Sequence, residues 1–383
     1  MTAERPTEPE APDAPDAPAG RTPRLIYLGR NRLHRSRANL IQTFHTVHAL
    51  TRLGVDVELQ LPPWPNRVSP AGVSRRLGIG PVPARPYRLL HPRFRFHAHV
   101  RLQRRRLLKA DAVYTRTPEI AVALVRARVP ATLEVHDTDK LAARGHLALL
   151  AAAHASGRLR ALTPISRAAA ATLISAGADP DRVHVLPSGV DVAAFTPPPD
   201  DPPPAPAALP LRTAYLGRIN AGRGQAVLLA LHRRGVIRLT LVGEQDDAVP
   251  EVPGLERLPF VPQTEVPSWY RRCDVVLLPY QPSLDIANSV SPIKLFEAMA
   301  AGRPVVASAL PTLREVVRDG ENGLLVEPGD TDAWAAACRR LVQEPGLAER
   351  LGRRAMADAI GYDWSSRARA LCEAVGLKRG TGR

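Results

Sequence analysis

The stretch "TPPPDDPPPAPAALP" at residues 196–210 holds eight prolines in fifteen positions. Each proline removes an amide donor and clashes with the preceding turn, so neither a helix nor a central strand can run through it. The chain must therefore fold as two units, and 383 residues allow each to bury its own core. The same alternation stands on both sides of the break. Before it, "PRLIYLG", "VDVELQLP", "DAVYTR", "ATLEVHD", "ALTPIS" and "VHVLPSGVD" read as strands, with "ANLIQTFHTVHALTRLG", "RFRFHAHVRLQRRRLLKA", "PEIAVALVRAR" and "RAAAATLISAG" as helices. After it, "TAYLG", "IRLTLVG", "LERLPFV", "DVVLLPY", "PVVAS" and "GLLVEP" are the strands, and "RGQAVLLALHRRG", "KLFEAMAAG" and "TDAWAAACRRLVQ" the helices between and beyond them. This is the pattern of an α/β protein with two largely parallel sheets, covered by helices and separated by a cleft.

The expected boundaries are an acidic, proline-rich disordered tail at 1–20, a first domain at 21–195, the linker at 196–210 and a second domain at 211–360. A C-terminal helix within 361–383 is expected to pack back on the first domain and to end in a frayed tail. The tail lacks the basic and apolar regions of a signal peptide, and no apolar run of about 18 or more residues occurs. Cys273, Cys338 and Cys372 are too few and too scattered for a disulfide framework or a metal cluster, which suits a reducing compartment.

Charge is unevenly placed. The formal total is +15, and residues 21–116 carry twenty Arg or Lys against Asp56, Glu58 and Asp111. Such a field suits an anionic membrane surface, a nucleic acid or a phosphorylated substrate, and it also arises as a solvated face in a chain whose basic residues are nearly all arginine. "RFRFHAHVRLQRRRLLKA" has the make-up of an interfacial helix. Few aromatics and no paired zinc ligands leave the case for a specific nucleic-acid partner thin.

Two segments of the second domain carry the chemistry. In "YLGRINAGRGQ", Gly217 permits close backbone approach at a strand end, and Arg218 and Arg223 can bracket one anion such as a diphosphate. In "SVSPIKLFEAMAAGRPVVAS", Pro292 suits a first helical turn and Ser291 a cap. The amides of Ile293, Lys294 and Leu295 then face a phosphate, with Lys294 one turn before Glu297. Lys294 would reach the phosphate and Glu297 the hydroxyls of a ribose, although an ordinary surface pair has the same spacing. In the first domain, His136 and Asp137 close the strand "TLEVHD", where side chains meet ligands in open parallel sheets. Glu134 lies on the same face and would orient His136, Arg116 ends another strand and suits an acceptor carboxylate or phosphate, and Ser36 and Arg37 suit the donor phosphates across the cleft.

"GRINAGRG", "SPIKLFEAMAAGRPVVAS", "LREVVRDGENGLLVEPGD" and "TPISRAAAATLISAGADPDRVHVLPSGVDVAAF" together resemble glycosyltransferase family 4, in a branch with SPxKLFE in place of the full paired-glutamate motif. The resemblance runs from about Arg24 to Val375 and is strongest in the second domain. It implies the GT-B fold, two Rossmann-like domains with parallel sheets facing across a cleft, the first for the acceptor and the second for the nucleotide sugar. It implies retaining transfer of a hexosyl group from a nucleoside-diphosphate sugar to a hydroxyl of a glycan, lipid-linked or small-molecule acceptor, with no cofactor and no metal. His136, Arg218, Arg223 and Glu297 are then the catalytic candidates. Gly217, Arg218, Arg223, Ser291, Pro292, Ile293, Lys294, Leu295 and Glu297 line the nucleotide. Many family members place an acid eight residues before this glutamate; here the position is Ser289, with Asp285 four residues away. A cytoplasmic location is expected, with peripheral contact to the inner face of the membrane for a lipid-linked acceptor. The alternatives are a sugar-nucleotide hydrolase or epimerase on the same scaffold, and a non-enzymatic nucleic-acid-binding protein.

Overall fold

The computed structural model describes residues 21–34, 37–88, 95–198, 206 and 208–377. The expected tail at 1–20, most of the proline linker, Ser36 and the chain end beyond 377 lie outside the described residues.

Strands β1 (Arg24–Leu28), β2 (Asp56–Leu61), β3 (Ala84–Pro86), β4 (Ala112–Thr115), β5 (Ala131–Val135) and β6 (Leu159–Pro164) form one parallel sheet in the order β3-β2-β1-β4-β5-β6. Its central strands are buried along their length, as expected when helices cover both faces. Those helices are α1 (Ala38–Arg52), α2 (Pro70–Leu77), α3 (Arg95–Leu107), α4 (Pro118–Arg126), α5 (Thr138–Ala143), α6 (Leu147–Ala155) and α7 (Arg167–Ser175). Residues 183–191 do not form the expected strand. His184 and Leu186 donate to the carbonyls of Leu162 and Pro164 along β6, but Pro164 has no amide to donate in return. A short helix, α8 (Val192–Phe195), leads to the linker.

The second domain opens with β7 (Leu211–Leu216), α9 (Gln225–Arg233), β8 (Ile237–Val242) and β9 (Glu256–Leu258). It continues through α10 (Val266–Arg272), β10 (Val276–Leu278), α11 (Ile293–Ala300), β11 (Val305–Ser308), α12 (Pro311–Arg314) and β12 (Leu324–Val326). The helix α10, with Pro267 in its first turn, was not among the expected elements. Two parallel sheets result, β7-β8-β9 and β10-β11-β12. They meet where the Asp274 amide donates to the Arg212 carbonyl at 2.7 Å, so the six strands follow the same spatial order as those of the first domain. Helices α13 (Thr331–Gln343) and α14 (Leu347–Ala359) cover this half, and Trp334 of α13 is fully buried in its core.

The last helix, α15 (Trp364–Ala374), leaves the second domain and packs on α1. Trp364, Ala368, Leu371, Cys372 and Val375 share a core with Leu25, Tyr27, Phe44 and Leu50. The Trp364 ring stacks on His45 with centroids 5.2 Å apart, and a Cβ on Gly189 would stand 2.6 Å from the same ring. The crossing is closed by reciprocal backbone bonds, Val190 to the Tyr362 carbonyl at 3.0 Å and Trp364 to the Val190 carbonyl at 3.1 Å. Trp364→Ala should therefore destabilise the protein by about 3–5 kcal/mol through lost burial and the cavity left behind, read as a shift in the denaturant midpoint.

Candidate active site

In both halves the strand order reverses at the first strand, between β1 and β4 and again between β7 and β10. Ligands of open parallel sheets settle outside the carboxyl ends at such points. The loops after β7, β10, β4 and β5 carry most of the candidate residues.

After β7, Gly217 takes φ +114°, and a Cβ there would come within 3.5 Å of Lys294 Nζ. Gly224 is more constrained still: it has φ +79°, and a Cβ would lie 2.0 Å from the Pro279 carbonyl oxygen. The turn between them holds Arg218 and Arg223, as the spacing predicts. Both arginines meet one carboxylate that sequence reasoning missed, that of Asp246 in the loop after β8. Arg218 donates to it through Nε at 2.9 Å and through Nη2, and Arg223 Nη1 stands 3.8 Å away. Asn220 also donates to Asp246, and the Ala221 amide donates to Asp247 at 2.7 Å. Two aligned guanidinium groups thus converge on one anionic position, and a ligand anion reaches them by displacing that carboxylate.

The helix α11 supplies the second half of this cradle. Its N-cap is Pro292, and no side chain caps it. Ser291 is not the cap: its hydroxyl accepts from the Ser188 amide at 2.9 Å, and its carbonyl accepts from the Ser188 hydroxyl at 2.7 Å, so it joins the two domains. Lys294 turns toward β7, with Nζ 3.8 Å from the centroid of the Tyr215 ring. Burial, and then the nearby charge of Arg223, lowers its pKa to about 7. Leu295 faces inward and is fully buried.

Glu297 lies one turn further along α11. With Ile293, His45, Asp191, Gln263 and Trp364 it lines a cavity of about 260 Å³ between the domains. Its carboxylate accepts from Gln263 Nε2 at 2.7 Å and from the Tyr270 hydroxyl at 3.2 Å, and burial raises its pKa against the pull of those donors. A ribose hydroxyl would compete with Gln263, the partly exposed donor of the two.

The loop before α11 reaches the first domain. Ser289 is 1% exposed and donates its hydroxyl to the His136 carbonyl at 2.9 Å, and Asn288 donates to Asp139 at 3.1 Å. Asp285 is exposed on the same loop. Glu315 crosses the gap further on, accepting from the Arg167 and Ala168 amides at the start of α7 at 2.6 and 2.9 Å.

His136 stands at the end of β5, as expected, but its ring is fully engaged. Arg116 Nη2 lies 3.2 Å from Nδ1; an arginine only donates, so Nδ1 accepts and Nε2 carries the proton given to Glu134. Burial, followed by the charge of Arg116, lowers the imidazole pKa to about 4 and keeps the ring neutral. In this arrangement neither nitrogen remains for a substrate. Arg116 also donates to the Asn39 carbonyl at 3.0 Å, and it stands beside His136 at the carboxyl edge of the sheet.

Beneath His136, the Glu134 carboxylate also accepts from Gln42 Nε2 at 2.9 Å, from the Tyr114 hydroxyl and from Arg367 Nη2 at 2.8 Å. Burial alone would raise its pKa; Arg367 and the other donors hold it well below the usual carboxylate range. One signal of this site was readable in advance, a carboxylate in the otherwise uncharged strand "ATLEV", which needs partners if buried. Arg367, 233 positions away, carried no such signal.

Residues 41–194 match the family described as Glycosyltransferase Family 4, and residues 212–344 match the one described as Glycosyl transferases group 1. The D-inositol 3-phosphate glycosyltransferase of Xylanimonas cellulosilytica is 33% identical over 221 residues, covering 51% of this chain and 52% of its own. The chain thus spans about half the length of the curated relatives it matches. Among solved structures, Anabaena HepE in complex with UDP superposes with a TM-score of 0.71 at 16% identity, over 93% of this chain and 100% of that one. A sucrose-phosphate synthase from Thermosynechococcus elongatus gives 0.69 at 17% identity, over 92% and 98%. These likenesses establish the GT-B fold.

The chain has only four lysines, so 13C-labelled lysine gives a sparse NMR spectrum. One resonance should titrate near pH 7, vanish in Lys294→Met and move to higher pH in Arg223→Gln, where a neighbouring positive charge is gone.

Proposed function

We propose, from the premise that the chain belongs to the GT-B glycosyltransferases of the family 4 type, that it moves a hexosyl group from a nucleoside-diphosphate sugar to an acceptor hydroxyl with retention of configuration. The observation that carries this reading is the convergence of Arg218, Arg223 and Lys294 beside the uncapped start of α11, one helical turn from a buried carboxylate. That set suits a diphosphate on one side and a ribose on the other. HepE, of the same fold, has been solved with UDP-glucose, which supports a nucleotide-sugar donor here.

The bond from the anomeric carbon to the diphosphate oxygen breaks while the acceptor oxygen bonds to that carbon, and the acceptor proton leaves on the diphosphate. Negative charge grows on the leaving group. Once the diphosphate has taken the place of Asp246, the guanidinium groups of Arg218 and Arg223 and the Lys294 ammonium stabilise it. Lys294, with a pKa near 7 before binding, takes up a proton when a diphosphate arrives, so donor affinity falls as pH rises above 7. Retention is carried over from the family type, and the acceptor is read as a glycan, a lipid-linked sugar or a small molecule.

A lipid-linked acceptor is supported by the outward side of α3, where Arg101, Leu102 and Arg105 are all exposed, with Leu108 and Lys109 exposed just beyond the helix. Among the described residues no helix is long and apolar enough to cross a membrane, so attachment would be peripheral. Liposomes rich in anionic lipid should carry the protein on flotation at physiological salt, and Leu102→Glu with Arg105→Glu should leave it in the soluble fraction. No flotation of the wild type would remove the membrane surface as a partner.

The donor reading is tested with a panel of UDP-, GDP- and ADP-sugars and candidate acceptors. Arg223→Ala and Glu297→Ala should each lower kcat/KM for the donor roughly 100-fold while the far-UV circular dichroism is unchanged. Transfer at the wild-type rate by both variants would sink the assignment; donor consumption that needs no acceptor would favour a hydrolase or epimerase.

A further inference from the structure

The four donors on Glu134 come from separate elements: Gln42 on α1, Tyr114 on β4, His136 after β5 and Arg367 on α15. An ionised carboxylate has about four acceptor positions, and all are used. Arg367 is in turn held by the Pro187 carbonyl at 2.8 Å and the Thr46 hydroxyl at 3.2 Å, so its guanidinium belongs to the floor of the first domain. The charges then sort themselves. Glu134 is offset by Arg367, His136 is neutral, and Arg116 has only neutral hydrogen-bond partners among the described residues, the Asn39 carbonyl and His136 Nδ1. Of the neighbouring cations on this rim, Lys140 pairs with Asp137, and Arg30 and Arg144 share the one carboxylate of Glu119. Arg116 therefore presents a guanidinium with no carboxylate hydrogen-bond partner among the described residues, partly exposed at the carboxyl edge of the central strand β4.

We propose that Arg367 and Glu134 are positioning residues which fix His136 as its Nε2–H tautomer, and that the group so aimed is Arg116, which receives an anionic group of the acceptor, a phosphate or a carboxylate. The geometry requires the sequence of contacts in that order. Glu134 can only accept while it is ionised, so the ring must present N–H to it; Nδ1 is then a lone pair, and a lone pair is what Arg116 can donate to. Arg367 keeps Glu134 ionised. Removing that charge lets the carboxyl take a proton and donate, the ring turn over to the other tautomer, and Arg116 lose its anchor. The C-terminal helix thereby acts on the acceptor side of the cleft without touching a substrate. The proposal rests on reading the first domain as the acceptor side.

Histidine 15N–1H correlation spectra report each ring's tautomer, and His136→Gln identifies its signals among those of the eleven histidines. In the wild type, His136 should show a protonated Nε2 and a bare Nδ1 down to about pH 5. Inorganic phosphate should shift these signals saturably, with acetate as the carboxylate arm; the tighter of the two names the acceptor's anion. Arg116→Gln should weaken the response at least tenfold, and Arg116→Lys should restore part of it. The paired change Glu134→Gln with Arg367→Gln keeps neutral hydrogen-bonding groups in the floor. It should give mixed His136 tautomers and at least a tenfold loss of phosphate affinity, with nucleotide binding at the second domain within twofold of wild type. Should that pair fail to fold, the two Arg116 variants and the wild-type tautomer still decide. A wild-type Nδ1–H tautomer, or a phosphate response unchanged in Arg116→Gln, overturns the proposal. An anion response in a protein that consumes no sugar nucleotide would instead overturn glycosyl transfer and leave the anion site standing; transfer without any anion response would do the reverse.

Discussion

The ion pair between Glu134 and Arg367 is the constraint on which the arrangement of this molecule turns. Both side chains are almost wholly buried, at 1% and 3% exposure. Taking two charges out of water costs several kcal/mol for each, and the cost is offset only when geometry is good and every remaining lone pair and proton is matched. Here the matching is complete on the carboxylate and extends to Thr46 and Pro187 on the guanidinium. A chain that left either group unpaired would forfeit about 3–5 kcal/mol, a large share of a domain's stability. The pair therefore selects the one docking of α15 in which Arg367 reaches the centre of a sheet built more than two hundred residues earlier, and the apolar contacts of Trp364 and Leu371 then seal it.

The same logic runs across the cleft. Four polar links join the domains near the candidate site: Ser188 with Ser291, Ser289 with the His136 carbonyl, Asn288 with Asp139, and Glu315 with the first amides of α7. Three of them use residues 288–291, the loop that leads directly into α11. A change in the separation of the domains must therefore pull on the segment that positions Lys294 and Glu297. Closing a two-domain site completes its constellation of charges and excludes water. In this chain the segment that leads into the helix carrying Lys294 and Glu297 is also the segment that contacts the first domain.

Much of the fold was legible from periodicity and punctuation. The alternation of apolar runs and helical segments gave two α/β halves, the proline run marked the break between them, and "GRINAGRG" and "SPIKLFEAMA" stood at strand and helix ends where a parallel sheet puts its ligands. What escaped was whatever depends on partners distant in sequence. Asp246 and Asp247 sit in a loop with no pattern of its own, and nothing in "GEQDDAVP" says that it folds against Arg218. Ser291 had the right residue type for a cap, yet the Ser188 amide claimed its hydroxyl first, because a helix end can be left to solvent or ligand while an interdomain amide at that spot cannot. His136 was found by position and misjudged in availability: a strand end predicts that a ring faces the cleft, but not that both of its nitrogens are taken.

Ser289 stands eight residues before Glu297, on the loop that reaches the first domain. A side chain at this position, 1% exposed, points at the His136 carbonyl oxygen. An ionised carboxylate is only an acceptor, so at this buried spot it would set two acceptors face to face, at the cost of an unsatisfied buried charge. A hydroxyl can donate, and it turns the same spot into a tie between the domains. Serine at 289 thus suits this contact with the first domain, whereas an ionised acid there would need a donor in place of the His136 carbonyl. The tie falls on the backbone carbonyl of His136, the residue whose side chain is locked between Arg116 and Glu134.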